Sequence, residues 1–443
     1  MRRAIPIAYA LFLVPCALGA QQAAPEKKSD DRVAALEERV RALELELTTL
    51  KETLKAALAP VVGELAGGGA WLVLASAKVP AAAAASPASL DPAPASGLAA
   101  PDPQAVQTFG GAGAAAAKAL NPDISVIGDF LGGIGRNKIR PTPALEMHES
   151  EVGFQAIIDP YARADVFFTF GETGVNLEEG YMTFTALPGG FVSKVGKMRS
   201  RFGVVNTLHN EQLSWTDRPL VTDNLVGGED GIDDAGLSLT RILPAPKGIF
   251  LEATGQVYRG DSGDVFQSRQ RQDVSYVAHL RGYRDITEST NFDLGFSFAR
   301  GHNDIGSAFH TQLFAMDATY RWRPLRRAIY HNFLARTELV WSQRDQLSAT
   351  LLPETQRAFG FYTSADYRLG RRWTVGGRYD RSGRARQASF TDSGFSAVLT
   401  YWPSEFSQVR GQYRFTRYAE GRNANELLFQ FLFVMGAHGA HPF

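Results

Sequence analysis

From Ile124 onward the chain is built of short segments in which apolar and polar residues alternate. Successive side chains of a strand point to opposite faces, so each such segment is expected to be a strand with one apolar and one polar face. In residues 291–299, Phe292, Leu294, Phe296 and Phe298 share one face; Asn291, Asp293, Gly295, Ser297 and Ala299 share the other. Residues 313–322 set Phe314, Met316, Ala318, Tyr320 and Trp322 against Ala315, Asp317, Thr319 and Arg321. Residues 408–416 set Val409, Gly411, Tyr413 and Phe415 against Gln408, Arg410, Gln412, Arg414 and Thr416. Alternation alone does not say which face is buried. A soluble sandwich hides the apolar face, whereas a membrane barrel turns it to lipid.

Number and spacing separate the two. Strands are expected near 124–135, 145–158, 162–171, 175–187, 190–200, 234–243, 249–260, 273–286, 290–302, 311–322, 332–345, 359–370, 373–383, 392–404, 407–421 and 425–436. That makes sixteen, an even number, as in bacterial membrane barrels. Links at Asp159-Pro160, 187–190, 244–247, 370–372 and 403–405 are tight. Between them come generally longer links at 136–144, 202–233, 261–272, 303–310, 346–358 and 384–391. Short turns on the periplasmic side and longer loops outside are the barrel habit. The expected fold class is all-β: an antiparallel transmembrane β-barrel of about sixteen strands over 121–443, preceded by an N-terminal α-helical coiled coil.

The segments ahead of the barrel fit an exported chain. Met1–Ala20 has the charged start, apolar run and small-residue exit of a secretory signal, with cleavage expected after Gly19 or Ala20. The one cysteine, Cys16, falls inside it, so the mature chain is expected to hold no disulfide, thiolate nucleophile or Cys-ligated metal. No later run reaches the roughly 18 apolar residues of a transmembrane helix. An exported chain without one crosses a membrane only as a closed barrel.

Residues 31–58 carry a heptad pattern, with Val33, Val40, Leu47 and Leu54 on one seam position and Leu36, Leu43, Leu50 and Ala57 on the other. In a parallel assembly Arg39 meets Glu44 of a neighbour and Glu46 meets Lys51, so a self-associating periplasmic coiled coil is expected. Val/Leu seams leave the number of strands in it open. Residues 60–120, rich in Ala and Pro, are expected to form a semi-extended linker. Formal net charge is zero, and with no basic helix or arm a nucleic-acid partner is not expected.

At the other end, Asn425–Gly436 is aromatic and the chain closes on Phe443. A terminal Phe after an aromatic last strand resembles the assembly signal of outer-membrane barrels. That resemblance implies recognition by the barrel-assembly machinery and a place in the cell outer membrane, in contact with its lipid.

The stretch Val195-Gly-Lys-Met-Arg-Ser-Arg-Phe-Gly203 resembles the phosphate-selective porin O/P family, which carries a similar stretch before its large loop. A longer likeness over about 145–240 includes Glu149-Ser-Glu-Val-Gly153, Asp159-Pro-Tyr-Ala162, Leu208-His209, Trp215-Thr-Asp-Arg-Pro-Leu-Val221 and Asn224-Leu-Val-Gly-Gly228. It is similar to bacterial outer-membrane proteins labelled zinc-regulated TonB-dependent receptors. Such receptors need a plug domain and about 22 strands, and here only a coiled coil and a linker precede the barrel. The porin resemblance implies a trimeric diffusion channel whose third external loop folds inward.

By the strand count that third loop is 202–234, an irregular stretch broken by Pro219, Gly227, Gly228 and Gly231. It carries Asp217, Asp223, Glu229, Asp230, Asp233 and Asp234, a candidate acidic constriction. Arg336, Arg378, Arg410 and Arg414 are expected to face inward as a basic pore wall, offset by Asp293, Asp317, Glu338, Asp366 and Asp380. Opposed charges at a constriction can sort solutes, but these offsets leave neither anion nor cation preference implied. His209 and Glu211 are the candidate metal ligands, although zinc sites usually take three or four.

No enzyme is expected: there is no Gly-x-Ser-x-Gly elbow. Nor does a helix follow the glycines at Gly132-Gly-Ile-Gly135 to cradle a phosphate. No cofactor is implied. The expected function is a porin-like channel for passive diffusion of small hydrophilic solutes. The alternatives are an uptake receptor for a metal or its chelate, and a structural tether from the outer membrane to the cell wall.

Overall fold

The structure, a computed structural model, describes residues 122–172 and 174–436. The expected signal segment 1–20, the expected coiled coil 31–58, the expected linker 60–120 and Phe443 lie outside the described residues.

Sixteen antiparallel strands close into one barrel. They are β1 (Asp123–Arg136), β2 (Leu145–Asp159), β3 (Ala162–Gly171), β4 (Gly174–Leu187), β5 (Phe191–Arg199), β6 (Asp233–Leu243), β7 (Phe250–Tyr258) and β8 (Ser275–Thr287). The second half is β9 (Thr290–Asn303), β10 (Gly306–Trp322), β11 (Phe333–Leu347), β12 (Pro353–Arg368), β13 (Trp373–Arg384), β14 (Gln387–Ser404), β15 (Ser407–Arg417) and β16 (Asn423–Gly436). Each strand pairs with its chain neighbours, and β1 closes on β16 in a register running from Ser125↔Gly436 to Arg136↔Asn425. Closure leaves no unpaired strand edge, which a hydrocarbon environment would not tolerate.

The polarity is inverted relative to a soluble sandwich. In β9, Phe292 and Phe296 are exposed on the outside, while Asp293 and Ser297 are buried on the inside. In β10, Phe314 and Tyr320 point out, whereas Asp317 and Thr319 point in. The outward band continues through Trp341, Phe359, Leu399 and Phe431. Such a surface is stable only against lipid. Tyr320 and Phe333, and Trp373 and Tyr401, pair as rings near the terminus-bearing rim, where aromatic side chains suit a membrane interface.

The closing seam depends on two glycines. Gly128 and Gly132 of β1 lie opposite Phe433 and Phe429 of β16. The rings lie across the glycines: a Cβ at Gly128 would sit 2.2 Å from Phe433 Cζ, and one at Gly132 1.8 Å from Phe429 Cζ. The glycine cluster at 132–135 therefore belongs to strand packing.

The loops correct one expectation. Links expected over 303–310, 346–358 and 384–391 shrink to 304–305, 348–352 and 385–386, because the β9–β10, β11–β12 and β13–β14 ladders run past the apolar band. Backbone pairing there is continuous in β11–β12 and resumes across register shifts in β9–β10 and β13–β14. The terminus-bearing rim in turn holds the longer 323–332 connection. The expected alternation of tight and generally longer links thus holds only in part, while the third loop remains the longest.

Candidate functional site

The third loop leaves β5 after Arg199, returns at β6 and folds into the lumen. It contains single 3-10 turns at Val205–Thr207 and Asn210–Gln212 and a π-helical turn at Thr222–Val226. Irregular backbone must still satisfy its polar groups. Asn206 supplies the clasp at the base: its amide donates to the carbonyls of Ser200 (3.0 Å) and Ile232 (3.1 Å), and its Oδ1 accepts from Ile232 N at 2.8 Å. Gly231, at φ +62°, leaves the space for it; a Cβ there would lie 2.0 Å from Asn206 Oδ1. Arg218 spans the inside of the loop, donating to the carbonyls of Val205 (3.1 Å) and Leu208 (2.8 Å).

The loop carries its own apolar cluster into the polar lumen. Phe202, Val205, Trp215, Val221, Leu225 and Ile232 are buried with wall residues Leu313, Val340, Tyr362 and Val398. Trp215 meets Tyr362 edge-on, with ring centroids 5.4 Å apart. Arg378 lies over the Trp215 ring at 4.8 Å, a cation–π contact.

Acids of the loop and bases of the wall meet at one point. Asp217 accepts from Arg378 Nη2 (3.0 Å), Arg414 Nη1 (2.8 Å) and Gln412 Nε2 (2.6 Å). Burial works against its charge, but Arg378, Arg414 and Gln412 outweigh it and hold the carboxyl down at about 2. Arg410 donates to the Trp215 carbonyl at 2.9 Å and also binds Gln430. Arg336 has no such contact with the loop; it lies within electrostatic reach of Asp317, Glu338 and Asp366.

The other loop acids go elsewhere. Asp223 pairs with Arg140 of the first loop at 2.6 Å, and burial pushes its carboxyl up to about 6. Glu229 faces His148 at 3.0 Å. The Asp230 carbonyl accepts from Arg199 at 3.0 Å, with its side chain exposed. Asp233 and Asp234 open β6 instead of lying in the loop. Asp233 pairs with Lys197 at 2.8 Å, and Asp234 accepts from the Gly260 (2.8 Å) and Asp261 (2.7 Å) amides, pinning the rim of β6 and β7.

His209 has partners the sequence did not announce. Its Nδ1 lies 2.7 Å from Glu151 Oε2 and 3.6 Å from Glu178 Oε1, and its Nε2 lies 2.9 Å from Glu179 Oε2. All four side chains are buried. Burial alone would neutralise the imidazole, but Glu178 and Glu151 raise its pKa well above the ordinary value. Glu211 is buried nearby, with its carboxyl pushed well up by burial and by Glu151. Among the described residues the donor atoms that converge with His209 are those of Glu151 and Glu178; Glu211 is not one of them.

Two irregularities mark the wall here, and the first builds this cluster. The β3–β4 register jumps from Phe167↔Glu179 to Phe168↔Leu177, so Glu178 is an extra residue. A bulge of this kind puts two successive side chains on one face, and both Glu178 and Glu179 are buried. The β1–β2 register jumps from Asp129↔Glu149 to Phe130↔Met147, which makes His148 the extra residue there. Consecutive polar residues at 148–149 and 178–179 were the sequence signal, visible as breaks in the alternation.

No family model matches the chain. A protein of Aquifex aeolicus (strain VF5), described as uncharacterized, is 28% identical over 387 residues, covering 74% of this chain and 81% of that protein. An anion-selective porin from Comamonas acidovorans has a similar fold, with a TM-score of 0.50 at 10% identity, covering 71% of this chain and 99% of the porin. The outer membrane channel DcaP of Acinetobacter baumannii gives a TM-score of 0.49 at 10% identity, covering 71% of this chain and 96% of that one. At such identity the likeness to the Comamonas porin speaks for the fold alone: the chain is a porin-like, outer-membrane-type barrel of sixteen strands.

Proposed function

We propose that the barrel is an outer-membrane channel for passive diffusion of small hydrophilic solutes, with the third loop setting its narrowest point. The observation that carries this reading is the seat of the loop. It lies inside a polar lumen and is fastened to the wall by Asp217 on Arg378 and Arg414. A loop that only capped the rim would have no need of an apolar cluster within the barrel. Acidic and basic groups neutralise one another at the dock, so the reading assigns no strong ion preference. The heptads of 31–58 support self-association in the periplasm, and the resemblance to porins suggests that three chains take part.

The receptor alternative is weaker because the cluster around His209 is buried between loop and wall, a poor place for travelling cargo. Purified full-length protein in a planar bilayer tests the proposal. Stepwise conductance in the absence of any energised partner is expected. A silent bilayer, with protein shown to be inserted, would overturn it in favour of the tether.

A further inference from the structure

We propose that Glu151, Glu178 and His209 form a binding site for one divalent transition-metal ion of zinc type, which fastens the third loop to the β2–β4 wall. The inference does not depend on what passes through the barrel.

The donor set comes first. One imidazole nitrogen and two carboxylates suit a borderline ion such as zinc, which takes His and Glu ligands with an open fourth position for water. The three donor atoms lie within 4.8 Å of one another. Ligands about 2.1 Å from a tetrahedral ion stand about 3.4 Å apart. His209 Nδ1 stands 3.6 Å from Oε1 of Glu178, the oxygen that Arg199 holds, so an ion would take Oε2 of the same carboxylate, and the 2.7 Å to Glu151 need open only modestly.

The surroundings point the same way. Metal-bound histidines commonly have their other ring nitrogen held by a carboxylate, and Glu179 holds Nε2 of His209 at 2.9 Å. Arg199 occupies Oε1 of Glu178 at 2.6 Å. Oε2 of the same carboxylate is buried without a hydrogen-bond partner in the described structure. A carboxylate oxygen buried without a donor is costly, and an ion bound there would replace the proton of His209 Nδ1. The bulge that makes Glu178 an extra residue is what brings this oxygen to the lumen face beside Glu179.

The test uses the full chain, folded in detergent and stripped with a chelator. Zinc is titrated by calorimetry, and cobalt(II) serves as a spectroscopic probe of coordination. One ion per chain is expected, with the visible bands of four-coordinate cobalt. Glu151→Gln keeps the size of the side chain and should weaken binding at least 100-fold; His209→Ala should do the same. Glu179→Gln should weaken it about 10- to 100-fold. Glu229→Gln should leave it unchanged, and heat-modifiable gel migration checks that each barrel is folded. Absence of a one-to-one binding event, or affinity unchanged in folded Glu151→Gln, would overturn the proposal and leave His209 as a purely hydrogen-bonded pin.

Discussion

Asp217 and Arg378, 161 residues apart in the chain, meet at 3.0 Å inside the barrel. The guanidinium also donates to the Asp217 carbonyl at 2.9 Å and to Asp380 at 2.7 Å. One arginine thus ties the third loop's side chain and backbone to the wall, and stacks on Trp215 as well. Removing one partner of a buried, hydrogen-bonded pair commonly costs about 3–5 kcal/mol, since the other charge is left unmatched. Here Asp380 remains to hold Arg378, so Asp217→Asn is expected to cost less, about 1–3 kcal/mol. It should loosen the loop, not unfold the barrel. Single-channel records should show larger open-state noise with gel migration unchanged; quiet records identical to wild type would contradict the docking role.

Two acids of the loop should answer pH with opposite signs. Asp217 is held at about 2, below its ordinary 3.8, so its contribution is fully present above 3.8 and is lost as pH falls through 2. A shift of that size corresponds to about 2 kcal/mol. Asp223 is raised to about 6, so its docked form is favoured below 3.8 and that advantage is lost as pH rises through 6. Limited proteolysis of the folded barrel should therefore find the loop near 223 more easily cut at pH 8 than at pH 5. Asp223→Asn should flatten that difference. Equal cutting at both pH values in the wild type would count against the buried placement of Asp223.

Much of this was legible in the chain. Phe292, Phe296, Phe314 and Tyr320 share the apolar face that the alternation predicts opposite Asp293 and Asp317, and their exposure marks it as the lipid face. All sixteen strands fall where the alternation puts them. Their ends do not: Gly306–His310, Pro353–Ala358 and Gln387–Thr391 break the alternation, yet they fall within strands, with register shifts between Gly306 and His310 and between Gly383 and Arg384. The inward-facing Arg378, Arg410 and Arg414 were legible from period two. The partners of His209 were not. Glu151 and Glu179 lie 58 and 30 residues away, and only the register of β2 with β3 and β4, bulge included, brings them to it.

The lipid face gives a prediction of its own. Phe296 lies near the middle of β9 and points outward. An arginine at the bilayer midplane costs about 2–4 kcal/mol in barrels of this kind. Phe296→Arg should lower unfolding stability in urea by about that amount. A change under about 0.5 kcal/mol would mean that this face does not meet hydrocarbon.

At the seam, Gly132 makes room for Phe429. Gly132→Leu must push the ring away, and overpacking typically costs about 1–3 kcal/mol. Because β1 and β16 close the barrel, slower folding and a lower share of the heat-modifiable form are expected. Phe429→Ala in the same chain should restore part of the loss; no interaction between the two substitutions would show that glycine and ring are not matched.

The most direct test of the channel reading is made on the loop itself. Cys16 is the only cysteine of the chain, and it lies in the expected signal segment, so a thiol at Glu229 can be labelled alone. That side chain is 51% exposed on a loop largely packed into the lumen. In a planar bilayer, adding a bulky hydrophilic reagent that forms a mixed disulfide with Glu229→Cys should cut single-channel conductance sharply, and a reducing agent, which cleaves that disulfide, should restore it. Full labelling with conductance unchanged would contradict the claim that the third loop narrows the path.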